Sequence, residues 1–274
     1  MILLTGTQLS QDLIAKAARA AAELPQKPCL ATVLVGEDPA STTYVRMKRN
    51  RAAAAGIDAR LVHLPDSTTT GELVLTIRAL SKDPAVHGIL LQHPVPPHID
   101  ERAAFEAIHP AKDVDGVTLR SFAAMAFGLP GYPSATPGAI MALLDHYNLP
   151  LTGKHAVVVG RSPILGKPIG MLLLARDATV TYCHSRTIDL TSHLRAADIV
   201  IAAVGKPRFI TGDQLSDGVV VIDAGYNPGN IGDVDFDTAA EKASAITPVP
   251  GGVGPVTIAT LLHHTVTAAA TQLT

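Results

Sequence analysis

Helix-like and strand-like patterns alternate along almost all of this 274-residue chain, and this alternation restricts the fold more than any other feature. Short apolar runs rich in Val, Ile and Leu are typical of strands, and apolar residues at helical spacing are typical of helices. The N-terminal half contains helix, strand, helix, strand, helix and strand patterns at residues 8–24, 29–35, 39–55, 59–64, 71–82 and 86–91. This order predicts a mostly parallel sheet with helices on its faces.

A proline-rich, loop-rich stretch at 92–138 separates this series from a second one, with a helical pattern only at 99–108. The second series is predicted to begin with a helix at 137–147, and the last 20 residues again form a helical pattern. Its strands are predicted at 155–159, 179–183, 198–204 and 219–224. Their nearly continuous Val, Ile and Ala content is typical of strands buried on both faces. The chain is therefore predicted to be α/β with two domains, joined near 130–140 and again near 250–256.

The composition argues against several classes of protein. Hydrophobic residues make up 47% of the chain, which indicates a globular protein, and a net charge of −2 with scattered basic residues argues against nucleic-acid binding. The N-terminus does not resemble a signal peptide, and no apolar stretch reaches the length of about 20 residues that spans a bilayer. We therefore expect a cytoplasmic protein without a membrane partner. Cys29 and Cys183 lie in apolar runs and are expected to be small buried hydrophobic residues.

The strongest cofactor signal is the segment 160–168, Gly-Arg-Ser-Pro-Ile-Leu-Gly-Lys-Pro, which connects a predicted strand to a predicted helix. Small residues there let the backbone approach a pyrophosphate, and the amides at the helix N-terminus face the anion. Gly160, Arg161 and Ser162 are the candidate contacts. The spacing is not GxGxxG, so an ordinary strand-to-helix turn remains the alternative.

The end of the next strand indicates which dinucleotide binds. An acidic residue at this point selects NAD, whereas arginine accepts the 2′-phosphate of NADP. Here Ser185 and Arg186 follow the strand, and the first acid is Asp189; Arg161 adds a second cation. The sequence therefore predicts NADP, although Arg186 alone is also compatible with a solvated surface charge. Glycine and proline after two later strands, at 204–207 and 223–228, are expected to complete the site or to form plain turns.

Lys48 is the leading catalytic candidate. Tyr44 and Lys48 are four residues apart on a predicted helix and share one face with Ser41, although this spacing alone also fits an exposed lysine beside a tyrosine. Polar loops at 91–94, 112–116 and 250–257 supply further groups, among them Gln92 and Asp115. Eleven histidines are present, but none has the helical spacing with a carboxylate that typifies a metal site, and no metal is predicted.

Several motifs in one order closely resemble the bifunctional methylenetetrahydrofolate dehydrogenase/methenyltetrahydrofolate cyclohydrolases, over essentially the whole chain. The matching segments are 35–41, 44–48, 112–116, 160–162, 183–187 and 248–255. The resemblance implies a folate-binding catalytic domain of residues 1–136 with 255–274, and a Rossmann-type NADP-binding domain of residues 137–254. It also implies a homodimer, tetrahydrofolate derivatives as substrates, and two successive reactions in one cleft.

In that family the first reaction passes hydride from 5,10-methylenetetrahydrofolate to NADP+, and the second adds water to the methenyl cation to give 10-formyltetrahydrofolate. By matching position, the resemblance implies one role for each site residue. Lys48 is the catalytic lysine, Tyr44 positions the folate, Gln92 contacts Lys48, and Asp115 holds the pterin edge. Gly251, Gly252 and Pro255 lie along the folate, Gly160 to Ser162 and Ser185 lie along NADP, and Tyr226 falls where the family has a backbone contact on the nicotinamide side.

The chain departs from the family pattern at three positions. His93 stands where the family usually has leucine, Ala135 where it often has cysteine, and Tyr226 where it commonly has isoleucine. His93 is the departure expected to affect substrate fit or the pH profile. The alternatives are a monofunctional dehydrogenase, a two-domain NADP oxidoreductase resembling shikimate dehydrogenase, and a non-enzymatic NADP sensor. An activity screen and an NADP-binding assay distinguish them.

Overall fold

The computed structural model describes residues 1–37 and 39–273, except for the side chains of residues 39–46. Its helices are α1 Thr7–Ala22, α2 Pro39–Ala54, α3 Thr70–Lys82, α4 Glu101–Phe105, α5 Leu119–Ala126, α6 Ala135–His146, α7 Gly166–Leu174, α8 Leu190–Arg195, α9 Phe236–Ala240 and α10 Val253–Leu273. Its strands are β1 Ile2–Leu3, β2 Cys29–Val35, β3 Asp58–Leu64, β4 Gly88–Leu91, β5 His155–Val159, β6 Thr179–Cys183, β7 Ile199–Ala202, β8 Val220–Asp223 and β9 Ala245–Ile246.

The chain forms two compact units. The first contains Met1–Ser10 and Met125–Thr257, and the second contains Gln11–Ala124 and Ile258–Thr274. Each unit is built on its own parallel sheet, of six strands in the first and three in the second. The predicted α/β class with two mostly parallel sheets is therefore confirmed.

The second unit is organised around β2, which pairs in parallel with β3 on one side and β4 on the other. All seven residues of β2 are buried, as expected for an apolar strand in the centre of a sheet covered by helices. α3 begins with a capping box, in which the Thr69 hydroxyl accepts the Glu72 amide and the Glu72 carboxylate accepts the Thr69 amide. A Cβ at Gly88 would lie 2.9 Å from a Val114 methyl group, so glycine in β4 lets the loop that contains Asp115 pack closely on the strand.

The six-stranded sheet of the first unit has the order β1-β9-β8-β7-β5-β6. β5 lies between β6, which follows it in the chain, and β7, which comes later, so the direction of winding reverses at β5. Ligands of open α/β sheets bind in the crevice at the carboxyl ends of the strands beside such a reversal. The core includes Val157, Val200 and Val221, each fully buried, because these parallel strands are covered on both faces.

The predicted strands are present in both units, all of them within two residues of the expected ends. β1 and β9 were not predicted, because two residues are too few to show a period. α5 lies in the stretch that was interpreted as loop-rich, and α4 is shorter than the helical pattern at 99–108. Cys29 and Cys183 are free and buried, as predicted. None of the described helices is both long and apolar enough to cross a membrane.

Candidate active site

Lys48 and Gln92 meet in the second unit, although 44 residues separate them in the sequence. The Lys48 ammonium donates a hydrogen bond of 3.0 Å to Oε1 of Gln92. Gln92 directly follows β4, where its main-chain amide donates to the Val33 carbonyl oxygen at 2.8 Å and its side-chain amide donates to the His93 carbonyl oxygen at 2.9 Å. The glutamine is thus fixed on both sides and presents a carbonyl oxygen to the lysine. The structure brings this predicted pair together.

The charges of Asp115 and Lys48 act on each other. Burial raises the pKa of Asp115 to about 6, because a carboxylate loses hydration there, while the positive charge of Lys48 opposes the rise and Asp113 adds to it. Burial lowers the pKa of Lys48, and the charge of Asp115 opposes that change. The two groups therefore share an environment in which both titrate closer to neutrality than usual. Such opposed pairs are common at sites of proton transfer.

Asp113 shapes the loop that carries Asp115. Its fully buried carboxylate accepts the amides of Val117 and Thr118, each at 3.0 Å, and the Ser121 hydroxyl at 2.5 Å. These bonds tie the loop to the first turn of α5 and hold Asp115 on a rigid backbone. Sequence reasoning grouped Asp113 with Asp115 but did not separate their roles. The structure assigns Asp113 to the support of the loop.

Two histidines lie near the same loop or near Lys48. His93 follows Gln92 and is partly buried; burial lowers its pKa, Glu101 opposes this, and Lys48 adds to it. His264 on α10 contacts the Val114 carbonyl oxygen through Nδ1 at 2.9 Å, and burial lowers its pKa to about 4. At neutral pH His264 is therefore an uncharged imidazole whose Nδ1–H donates to the loop. Its role was not predicted, because nothing in the sequence relates position 264 to position 114.

The side chains of Tyr44 and Ser41 lie outside the described part of α2, so the predicted Tyr44–Lys48 face is not described here. The backbone of α2 nevertheless begins and ends close to where the pattern predicted, and Gly56 after it adopts the left-handed conformation typical of a helix stop. Lys48 therefore lies on the predicted helix.

In the first unit, Gly160 directly follows β5 at the reversal point of the sheet. Its φ is +137°, and a Cβ at this position would overlap the Ala203 carbonyl oxygen at the end of β7. Only glycine allows the two strand ends to approach so closely. The chain then turns into α7, as the strand–turn–helix pattern predicted. The carboxyl ends of these parallel strands are where open α/β sheets bind dinucleotides, and glycine at 160 leaves the backbone free of a side chain that would keep a pyrophosphate away.

Ser162 has a structural task in this turn. Its hydroxyl accepts the amides of Leu165 and Gly166 at 3.1 and 3.2 Å, and its carbonyl oxygen accepts the Lys167 amide at 3.0 Å. The serine thereby satisfies amides at the start of α7 that would otherwise have no partner. Arg161, beside it, is exposed.

The end of β6 forms a compact turn that displays Ser185 and Arg186. The His184 amide donates to the Thr187 hydroxyl at 2.8 Å, and the Arg186 amide donates to Nδ1 of His184 at 3.2 Å. The side chains of Ser185 and Arg186 are exposed. A rigid turn with an outward-facing cation at the tip of the second strand suits a 2′-phosphate, which the planar guanidinium can bind with two hydrogen bonds.

Two buried carboxylates behind the later strand ends were not anticipated as anchors. Asp223 accepts the amides of Gly225 at 2.9 Å, Asp233 at 3.0 Å and Val234 at 2.9 Å. Burial raises the pKa of Asp223 to about 6, and these amide bonds oppose the rise. Asp233, which is fully buried, binds the loop after β7. Sequence reasoning noted the glycines and prolines of these loops, whereas only the fold shows which acids hold them.

The remaining candidates also lie in the first unit. Gly251 and Gly252 belong to a turn that follows β9, in which the Gly252 amide donates to the Pro248 carbonyl oxygen at 2.9 Å and the Gly251 carbonyl oxygen accepts the Gly6 amide at 2.8 Å. Pro255 lies in the first turn of α10. Tyr226 is 46% exposed, and its hydroxyl donates to Oδ1 of Asn230.

The predicted site residues thus fall into two groups. Lys48, Gln92 and Asp115 lie in the second unit. The candidates for NADP binding, and the turn that contains Gly251 and Gly252, lie near strand ends of the first unit. Among the described residues, no three metal-binding side chains cluster. The fold and these groups define a two-unit α/β chain with a dinucleotide-type sheet and a lysine–carboxylate site.

Comparison with known proteins gives the family. The model of the tetrahydrofolate dehydrogenase/cyclohydrolase catalytic domain matches residues 4–115, and that of the NAD(P)-binding domain of the same enzymes matches residues 134–273. The chain belongs to the tetrahydrofolate dehydrogenase/cyclohydrolase family. It is a bifunctional, NADP-dependent enzyme of folate one-carbon metabolism, as the motifs predicted.

Individual relatives agree with this assignment. The bifunctional protein FolD 1 of Streptomyces avermitilis is 66% identical over 99% of this chain and 96% of its own length. The structure of bifunctional FolD from Campylobacter jejuni has a TM-score of 0.95 at 42% identity, covering 99% of each chain. The Trypanosoma brucei FolD structure, a complex with NADP and an inhibitor, has a TM-score of 0.94 at 36% identity, covering 99% of this chain and 98% of that one.

Shikimate 5-dehydrogenase of Thermus thermophilus, the class considered as an alternative, is 14% identical with a TM-score of 0.55, over 89% of this chain and 99% of that one. At this identity the similarity concerns the fold alone. The alternative class therefore shares an architecture with this chain, and the family matches above decide the activity.

Proposed function

We propose that Lys48, Gln92 and Asp115 carry out the folate chemistry, and that the loops after β5 and β6 bind NADP. The observation that supports this most strongly is the hydrogen bond from Lys48 to Gln92, since it orients a lysine whose pKa is lowered by burial and whose charge acts on the buried carboxylate of Asp115. Hydride transfer needs no strong acid or base at this site. Water addition, by contrast, needs a group that accepts or steers a proton.

For the oxidation, the protein supplies orientation. NADP+ would supply the hydride acceptor when bound, and the role of the residues is to bind and orient the two reactants. Gly160 leaves room for the pyrophosphate, and Arg186 with Ser185 and Arg161 binds the 2′-phosphate.

Asp115, as a carboxylate, accepts N–H groups of the pterin. Gly251, Gly252, Pro255 and Tyr44 are proposed folate contacts, and Tyr226 is proposed on the nicotinamide side.

For the hydrolysis, Lys48 acts on the water that attacks the methenyl carbon. A neutral amine accepts a proton from this water, and an ammonium orients it; the lowered pKa makes the neutral form accessible at lower pH than in an ordinary lysine. Gln92 fixes the direction of the amine through its Oε1, since its own amide is held by the His93 carbonyl. The charge of Lys48 affects the pKa of His93. His93 is therefore proposed to modify the pH profile of the hydrolysis.

The direct test is a spectrophotometric assay on the purified chain. Methylenetetrahydrofolate with NADP+ should give NADPH and the methenyl absorption, and methenyltetrahydrofolate supplied alone should lose that absorption faster than in buffer. Binding of NADP+ without either reaction would contradict the proposal and support a sensor. Oxidation without hydrolysis would identify a monofunctional dehydrogenase.

Asp115 should make folate binding depend on pH. Its pKa is raised to about 6, so the carboxylate is present above that pH and is lost below it. We expect the dissociation constant for folic acid to rise as pH falls from 7.5 to 5. Asp115→Asn should weaken binding at pH 7.5 by about 10- to 100-fold, the value of one or two charged hydrogen bonds, and should flatten the pH profile. Calorimetric titration measures both effects.

The matched control is Asp12→Asn, which changes an exposed acid of α1 in the same unit. Its binding and pH dependence should equal those of the wild type. An Asp115→Asn variant that retains the wild-type pH profile would remove Asp115 from pterin recognition.

We propose a homodimer as well. Among the described residues β3 pairs with β2 alone, so a seven-residue edge strand of the smaller sheet is available to a second copy. Light scattering coupled to gel filtration should give twice the 28.5 kDa chain mass. A mass of one chain at all concentrations would contradict the proposal.

We further propose that the enzyme acts in the cytoplasm. Its two cysteines are free and buried, which fits a reducing compartment. Fractionation of cells that express the chain should recover the activity in the cytosolic fraction, and recovery with membranes or in the medium would contradict this location.

A further inference from the structure

The loop after β7 is organised around the carboxylate of Asp233. The amides of Val204 and Gly205 donate to Oδ2 at 2.6 and 2.8 Å, and the amide of Lys206 donates to Oδ1 at 2.9 Å. Three successive amides that converge on one point form a nest, which is a common anion-binding arrangement of the backbone. Here an internal carboxylate occupies the nest, so these three amides are not available to a phosphate.

Asp233 also reaches the loop after β8. Its Oδ1 accepts Nδ2 of Asn227 at 3.0 Å, and its main-chain amide donates to Oδ1 of Asp223 at 3.0 Å. Asp223 in turn accepts the amide of Gly225. One fully buried side chain therefore connects the loops at the ends of two neighbouring strands, β7 and β8. Neither loop can shift without breaking several charge-assisted hydrogen bonds.

The position of this network relates it to the nucleotide crevice. The amides that Asp233 binds begin one residue after Ala203, whose carbonyl oxygen lies so close to Gly160 that a Cβ there would be 2.2 Å from it. β7 forms the side of the proposed NADP site opposite the turn that begins at Gly160. Because Gly160 has no side chain, its backbone packs directly on Ala203, so a shift of residues 203–206 would displace this side of the proposed NADP site.

We infer that Asp233 is a positioning residue for NADP binding, which fixes the β7 and β8 walls of the crevice without contacting the cofactor. This inference rests on the proposed NADP site. It adds to that site a residue that holds the loops after β7 and β8 in position. The carboxylate is essential to this role, because it has two acceptor oxygens. Four N–H donors point at them, those of the Val204, Gly205 and Lys206 amides and of the Asn227 side chain. An isosteric amide keeps the shape but supplies one acceptor, and its N–H group then faces main-chain N–H groups.

Asp233→Asn tests this inference because the two activities respond differently. Hydride transfer needs NADP+, whereas hydrolysis of supplied methenyltetrahydrofolate does not. We expect the KM for NADP+ to rise about tenfold or more, as expected from the loss of charged hydrogen bonds, with the cyclohydrolase rate close to that of the wild type. Asn227→Ala, which removes one of the four bonds, should raise the same KM by a smaller factor and serves if Asp233→Asn does not fold.

Asp217→Asn is the matched control in the same unit, because the Asp217 side chain is 84% exposed and lies away from the strand ends described here. It should leave both activities unchanged. An unchanged KM for NADP+ in Asp233→Asn, or equal losses of both activities together with a lower Tm, would overturn the inference in favour of a purely structural role. If the wild type lacks dehydrogenase activity, the proposed function is contradicted instead. The comparison then uses the calorimetric Kd for NADP+, where equal values for wild type and Asp233→Asn overturn the inference.

Discussion

Replacing Lys48 by alanine should abolish most of the cyclohydrolase activity while leaving a larger share of the dehydrogenase activity. A positioned proton acceptor typically contributes about 100- to 10,000-fold to a rate, and we expect a loss of that order in methenyl hydrolysis. Hydride transfer depends on how the rings are held, so its kcat should fall less. The measurement is the decay of the methenyl absorption in one experiment and NADPH formation in another, on the same preparation.

The pH dependence of the wild type adds a second check on Lys48. Because burial lowers the pKa of Lys48, the hydrolysis rate should increase with pH below the range in which an ordinary lysine titrates. Lys48→Ala should lose this increase. Lys82→Ala, at an exposed position near the end of α3, is the control and should behave as the wild type. Unchanged hydrolysis in Lys48→Ala would remove the lysine from the water-addition step.

Arg186 should determine most of the preference for NADP+ over NAD+. Charged hydrogen bonds contribute about 1.5 to 3 kcal/mol, so Arg186→Ala should lower kcat/KM for NADP+ by about 10- to 100-fold. The value for NAD+ should change little, because NAD+ carries no 2′-phosphate. The turn at 184–187 is held by the Thr187 hydroxyl and the His184 ring, so removal of the Arg186 side chain should leave its shape intact.

Steady-state kinetics with both dinucleotides measure the effect of Arg186→Ala. Arg195→Ala, an exposed arginine of the same unit on α8, is the control. The double variant with Arg161→Ala should lose further NADP+ affinity if both guanidinium groups bind the phosphate. Equal losses for NADP+ and NAD+ in Arg186→Ala would contradict 2′-phosphate recognition and point to a distorted turn.

The sequence predicted individual groups of the site better than it predicted their surroundings. Lys48 and Gln92 were named as partners through the family resemblance, and the structure shows their hydrogen bond. Asp113 and Asp233 were not recognised as supporting residues. Their signal is absent from any local pattern, because a buried carboxylate that binds loop amides looks in sequence like any acid in a polar turn.

Local pattern determined the α/β class, most strands and helices, and the strand–turn–helix segment at Gly160, because periodicity and turn chemistry act between residues close in the chain. Tertiary structure alone decided which loops meet: the approach of Gly160 to Ala203, the pairing of β1 with β9, and the network around Asp233. It also decided the pKa directions of Lys48 and Asp115. These properties depend on burial and on contacts between distant segments, and both exist only once the chain has folded.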